Sequence, residues 1–251
     1  MQKLQARRAL VTGASAGIGA ATARALAREG AELVLVGRRR ERLEQLAAEL
    51  PRARVIVLDV RDHARVLAEL GTLEVDILIN TAGLSIGTDK LFDGDPTEWK
   101  TAVDTNVLGV LNVTRALLPR MIAQKRGELV FLGSVAGRQV YPGGSVYCAT
   151  KHAVHALYET ARLETNGTGI RCLTVDPGMV GGTEFSGIRM RGDLDKAGAV
   201  YAGVDPLSAE DVADAIVWAI TRPPRVNIGE IVMWASAQAS TTLVARRPAS
   251  S

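Results

Sequence analysis

Short apolar runs of strand length recur along the chain, and each but the last leads into a segment with helical periodicity. RALVT (8–12) precedes GAATARALAREG, ELVLVG (32–37) precedes RERLEQLAAEL, RVIVLDV (54–60) precedes DHARVLAEL, and VDILIN (75–80) precedes a long helical region over 97–124. ELVFLG (128–133), a helix over 146–165, IRCLTV (170–175), a helix over 208–221 and EIVMW (230–234) complete the series, so seven strands are predicted. Alternation of this kind makes βαβ units, which fold into a parallel sheet with helices on both faces. The expectation is therefore a single doubly wound α/β domain over 1–251. Apolar residues make up 47% of the chain and aromatic residues only 4%, which suits the aliphatic core of such a sheet.

Several classes of function are set aside by composition. The net charge is only +3 and the arginines are dispersed among Asp and Glu, so no nucleic-acid partner is expected. Cys148, Cys172 and three scattered histidines give neither a disulfide framework nor metal-ligand spacing, so no metal is expected and a cytoplasmic location fits. No secretory signal or membrane-length apolar stretch is visible, so a soluble protein with no membrane partner is expected. Two regions break the alternation: 178–206, read as a substrate lid, and 236–251, read as a surface or subunit-contact tail.

In a parallel α/β sheet ligands bind beyond the carboxyl ends of the strands, so the residues after each strand carry the functional signal. After the first comes TGASAGIG, where Gly13, Ser15, Ala16, Gly17, Ile18 and Gly19 form the turn into a helix. A glycine-rich turn alone is ambiguous; between a strand and a helix it lets the backbone and the helix N-terminus meet a pyrophosphate. After the second comes GRRRERL. An acidic residue here would bond a ribose 2′-hydroxyl, whereas Arg38 and Arg39 suit a 2′-phosphate, so NADP(H) is the expected cofactor. A solvated helix start is the plainer explanation, but cations at a helix N-terminus oppose its dipole and need a partner. Asp59 and Val60 after the third strand either border an adenine or cap a helix. Asn80, Thr81, Ala82 and Gly83 form a small-residue turn that would lie against a ribose.

Ser134 follows the fifth strand, and Tyr147 and Lys151 stand four residues apart on one helical face. A free phenol has a pKa of about 10, and a nearby ammonium favours its anion. Lys151 is thus expected to make Tyr147 a general acid and base, with Ser134 bonding the reacting oxygen.

With these motifs the chain resembles the short-chain dehydrogenase/reductases over nearly its whole length. TGASAGIG matches their TGxxxGxG, NTAG their NNAG, GS at 133–134 their strand-five serine, YCATK their YxxxK, and DPG their PG turn beside the nicotinamide. The resemblance implies a Rossmann-type fold, a catalytic tetrad of Asn106, Ser134, Tyr147 and Lys151, and further cofactor contacts at Pro177, Gly178, Val180 and Thr183. It also implies a homotetramer joined through the helices 97–124 and 146–165. Thr81 replaces the family's second Asn, a change expected to loosen a turn contact without removing a catalytic group.

The segment VGGTEFSGIRMRGDLDKAGAVY, with LSAEDVADAI and RPPRVNI, is similar to the branch of NADP-dependent 3-hydroxy acid dehydrogenases. That likeness implies a small 3-hydroxy acid of the serine, L-allo-threonine or 3-hydroxypropionate type as substrate. Arg189, Arg191 and Lys196 offer lid cations for its carboxylate, and Arg138 offers another, with Tyr141 as a pocket wall. Departures at Val232, Trp234, Ala235 and 138–141 leave open a sulfoacetaldehyde or a neutral, bulkier carbonyl, and a non-catalytic NADP-binding regulator is a third alternative.

Overall fold

The computed structural model describes residues 2–247. Seven strands, β1 (Arg8–Thr12), β2 (Glu32–Gly37), β3 (Ala53–Val57), β4 (Ile77–Asn80), β5 (Gly127–Leu132), β6 (Ile170–Pro177) and β7 (Glu230–Met233), form one sheet in the order β3-β2-β1-β4-β5-β6-β7. Every pairing is parallel, as the alternation predicts. The order reverses between β1 and β4, which opens a crevice beyond their carboxyl ends.

Both faces of the sheet are covered, which explains why the strands read as unbroken apolar runs. On one face Leu35, Ile79, Val130 and Leu173 pack with Leu26 of α1 (Gly17–Arg28) and with Val212 and Ile216 of α9 (Ala209–Ile220). On the other, Leu10, Val34, Leu78, Leu129 and Phe131 meet Val66 of α3 (His63–Leu70), Leu117 of α5 (Gly109–Ala123), and Val154 and Tyr158 of α6 (Ser145–Glu164). Successive strand residues serve opposite faces, so each strand contributes to both cores.

Two sequence expectations are corrected. β3 ends at Val57 rather than 60, because Leu58, Asp59 and Val60 already turn toward α3. The region 97–124 is two helices, α4 (Pro96–Val103) and α5, joined by a π-helical turn over Asp104–Leu108. The described part of the tail folds back on the segment 178–206: Arg247 N–H donates to the Gly203 carbonyl at 2.8 Å, and the Arg246 guanidinium donates to those of Ala202 and Val200. Residues 248–251 lie outside the described chain. No helix among the described residues is long and apolar enough to cross a membrane.

At the amino ends of the central strands charge is buried. Glu128 is only 5% exposed and accepts from Arg171 Nη2 at 2.7 Å and Nε at 3.0 Å, while Asp76 accepts from Arg126 and from the Arg8 backbone. Arg171 also donates to the carbonyls of Ile220, Arg222 and Pro223, tying the end of α9 to β6. Burial pushes the Glu128 carboxyl above its ordinary range, against the pull of Arg171. Glu128→Ala leaves the half-buried Arg171 and Arg7 beside a missing charge, and urea unfolding is expected to show a loss of about 3 kcal/mol.

Candidate active site

The site gathers at the carboxyl ends of β1, β4, β5 and β6. Asp62, Asp95 and Ser208 cap α3, α4 and α9 with their side chains, but Ala16 at the start of α1 supplies no side-chain cap, and the first turn of α1 holds no acid. That helix end keeps free N–H groups and an unopposed dipole beside the glycine turn, which fits a diphosphate. Gly13 has φ +65°, and a Cβ there would press on the Ala82 backbone at 3.0 Å, so glycine closes the β1 turn against the β4 turn. Thr81 does not loosen this junction: its hydroxyl donates to the Thr12 carbonyl, and the Thr12 hydroxyl accepts from the N–H groups of Thr81 and Ala82, both at 3.1 Å.

Arg39 lies against this turn, donating to Ser15 Oγ from Nη2 at 3.0 Å and from Nε at 3.2 Å. Its Nη1 pairs with Glu184 at 2.7 Å, and Glu184 also meets Arg42 at 3.4 Å. Sequence reading missed this acid, which links the segment 178–206 to the arginine row. Arg38 is exposed and bears electrostatically on Asp59. Asp59 does not cap the following helix, a task taken by Asp62; its carboxylate grips Arg61, at 2.6 Å to Nη2, and that hydrogen bond holds its pKa below the usual range. Val60 is buried under α5 and its carbonyl accepts from Asn112 at 3.0 Å. Asn80 donates to Thr114 at 3.2 Å, and Gly83 borders Asn106 and Lys151, whose Oδ1 and Nζ would lie 3.3 and 3.8 Å from a Cβ.

The four residues of the expected tetrad are all buried and converge here. Asn106 lies in the π-helical turn, its amide donating to the Leu84 carbonyl at 2.7 Å and to Thr150 at 3.0 Å while its Oδ1 accepts from Leu84 N–H at 2.8 Å. Ser134 Oγ accepts from Ala136 N–H and faces the carbonyl of Pro177. Lys151 is 6% exposed, donates from Nζ to the Leu132 carbonyl at 2.7 Å, and sits 5.9 Å from the Tyr147 ring centroid. Burial raises the Tyr147 phenol well above its ordinary value, with Ser134 and Arg189 opposing it. Burial also lowers Lys151 to about 8, with Asp176 opposing it.

The segment 178–206, expected as a lid, contains two short helices, α7 (Phe185–Arg189) and α8 (Leu194–Ala199), too brief for periodicity to reveal. Phe185 stacks near Tyr147 with centroids 5.4 Å apart, another contact absent from the sequence reading. Gly17 lies against Thr183, Val180 accepts from the Tyr201 hydroxyl at 2.9 Å, and Gln238 of the tail accepts from Met179 N–H at 2.8 Å. Gly178 is pinned by its N–H to the Met233 carbonyl at 2.7 Å, and Ile18 packs partly buried against the core.

Of the candidate anion contacts only Arg189 reaches the site. Its guanidinium carbon lies 5.2 Å from the Tyr141 ring centroid, and its Nε is buried with no hydrogen-bond partner among the described residues. Arg138 is spent elsewhere, between Asp176 at 2.5 Å and Glu230. Arg191 is clasped by Asp89 and by Glu98 at 2.8 Å, and Lys196 by Asp193 at 2.9 Å. An arginine already neutralised by two carboxylates has little left to offer a third.

A protein-family model for short chain dehydrogenases matches residues 7–191. The chain belongs to the short-chain dehydrogenase family. This dehydrogenase is 38% identical to the NADP-dependent 3-hydroxy acid dehydrogenase YdfG of Salmonella typhi, across 95% of this chain and 98% of the relative. It is 40% identical to an NADP-dependent 3-hydroxy acid dehydrogenase of Schizosaccharomyces pombe, across 99% of this chain and all of the other. Among solved structures it is similar to the closed form of a serine dehydrogenase complexed with NADP+, at 38% identity and a TM-score of 0.91, covering 96% of this chain and 99% of that one.

Proposed function

We propose that this short-chain dehydrogenase uses NADP(H) to interconvert a small 3-hydroxy acid, of the serine, L-allo-threonine or 3-hydroxypropionate type, and its carbonyl form. The observation that carries the substrate class is the buried Nε of Arg189, which has no hydrogen-bond partner among the described residues, beside Tyr141 and the Tyr147 phenol. A buried guanidinium N–H without an acceptor calls for one, and a carboxylate two carbons from the reacting hydroxyl supplies it. The relatives named as NADP-dependent 3-hydroxy acid dehydrogenases support the same reading.

Cofactor binding is assigned to the uncapped start of α1 with Ser15 and the glycine turn for the diphosphate, and to Arg38 and Arg39 for the 2′-phosphate. Asn80, Ala82, Gly83, Pro177, Gly178, Val180 and Thr183, all at or beyond the ends of β4 and β6, are assigned to the remaining length of the cofactor. The bound nicotinamide supplies the hydride acceptor or donor. Tyr147 gives its phenolic proton to the carbonyl oxygen in reduction and takes it back in oxidation, while the Ser134 hydroxyl holds that oxygen. The Lys151 ammonium steadies the phenolate that forms, and Asn106 fixes the turn at Leu84 and Thr150 against which Lys151 lies. Self-association along α5 and α6 into a homotetramer belongs to the same reading.

The test follows reduced nicotinamide absorbance with L-serine, L-allo-threonine and 3-hydroxypropionate against sulfoacetaldehyde and neutral aldehydes and ketones. Arg189→Met should raise KM for the acids roughly 10- to 100-fold, the worth of one charge-assisted contact, and leave neutral carbonyls within about threefold. Equal effects on both classes would remove the carboxylate from the reading.

A further inference from the structure

Asp176 is 2% exposed at the end of β6, a full charge buried where an open sheet of this kind offers mostly apolar neighbours. Its Oδ2 accepts from Arg138 Nε at 2.5 Å and its Oδ1 from the Thr174 hydroxyl at 2.8 Å. Arg138 passes on to Glu230 of β7, so a row of alternating charge runs from the rim of the sheet inward. The inner end of that row abuts the strand that anchors Lys151. Gly133 N–H donates to the Val175 carbonyl at 2.9 Å, and any side chain at Gly133 would collide with the Asp176 carboxylate. The preceding residue, Leu132, gives the carbonyl that receives Lys151 Nζ.

We propose that Asp176, held in place by Arg138 and Glu230, is a positioning residue that sustains the ammonium charge of Lys151 and thereby the acid-base work of Tyr147. The proposal rests on the assignment of Tyr147 and Lys151 given under Proposed function. Charge placement points the same way: Lys151 hydrogen-bonds a neutral carbonyl, the nearby Gly83 and Asn106 carry no charge, and Tyr147 is neutral until it reacts. Asp176 is the acid that bears on Lys151, and it opposes the burial that draws the amine down to about 8. Asp176 itself meets Arg138 before α6 and Thr174 on β6, with Glu230 on β7 behind Arg138, and bears electrostatically on Lys151 of α6. Arg138 is therefore not a substrate contact; paired with both Asp176 and Glu230, it fixes the Asp176 carboxylate in place.

The chain has six lysines, so selective ε-13C labelling allows each to be titrated by NMR, with Lys151 assigned from its loss in Lys151→Met. In wild type the Lys151 signal should titrate well below the others. Asp176→Asn, nearly isosteric, should move its midpoint down by about one pH unit or more, as loss of a near opposite charge does. In the NADP-loaded enzyme the alkaline limb of kcat should fall by the same interval, with turnover at pH 8 reduced roughly tenfold and that at pH 6 within about threefold. A merely structural role would lower turnover equally at both pH values. If Asp176→Asn does not fold, Arg138→Gln decides, since freeing Asp176 from its cation should move the Lys151 midpoint upward. An unmoved Lys151 midpoint in a folded variant overturns the proposal. Because that signal is read without substrate, a wrong substrate class leaves it intact, whereas a shifted midpoint with an unchanged pH profile would refute the role given to Lys151.

Discussion

Tyr147→Phe should lower kcat by at least about 10³-fold while the Kd for NADPH, read by fluorescence titration, changes little. The substitution removes one oxygen from a ring held by Phe185 and the surrounding core, so packing survives and only the proton donor is lost. The wild-type pH profile follows from the same burial. With its phenol raised, Tyr147 is protonated at neutral pH and ready to donate in reduction, which should vary little between about pH 6 and 8. Oxidation needs the phenolate, so its kcat/KM should rise about tenfold per pH unit over that interval, one proton being lost. The rise should flatten as Lys151, lowered to about 8 by burial, gives up its own proton. Profiles of equal slope in both directions would remove Tyr147 as the proton carrier.

The second large effect concerns cofactor choice. Arg38→Ala combined with Arg39→Ala should weaken NADP+ roughly 10²-fold, two charge-assisted contacts at about 1.5 kcal/mol each, and leave NAD+ within about threefold. Calorimetric titration of both cofactors measures this directly. Glu184 sharpens the expectation, because Arg39 is held at Ser15 by three polar contacts and at Glu184 by a fourth, so the guanidinium is already oriented before a phosphate arrives. Unchanged discrimination would relieve the arginines of the 2′-phosphate.

The strands and the principal helices were legible because each is set by a period in the sequence: unbroken apolar runs for buried strands, three-and-four spacing for helices. The glycine turn and the Tyr147–Lys151 pair were legible for a related reason, since the residues that define them lie within one turn of each other. Long-range pairing was not. Arg138 finds Asp176 across 38 residues and Arg191 finds Asp89 across 102, so a cation that looks free in the sequence is neutralised only once the chain folds. The π-helical turn around Asn106 and the short lid helices leave too few residues for a period to show. Asp176 did leave a signal, an acid at the end of an apolar strand next to Pro177 and Gly178; its partner lies outside the motif, and only the packed sheet reveals why the charge is there.

The buried ion network of Asp76, Glu128, Arg7 and Arg171 stands at the amino edge of the strands, and the reacting groups stand at the carboxyl edge. The length of a strand separates them, which exceeds the range over which most substitutions couple. Changes at Glu128 or Arg171 therefore alter how many molecules are folded without altering what each folded molecule does, while the lid and strand ends can be exchanged for another substrate at little risk to folding. The two edges of this sheet are open to independent revision, and a library that varies the lid can be built on a chain first hardened at the opposite edge.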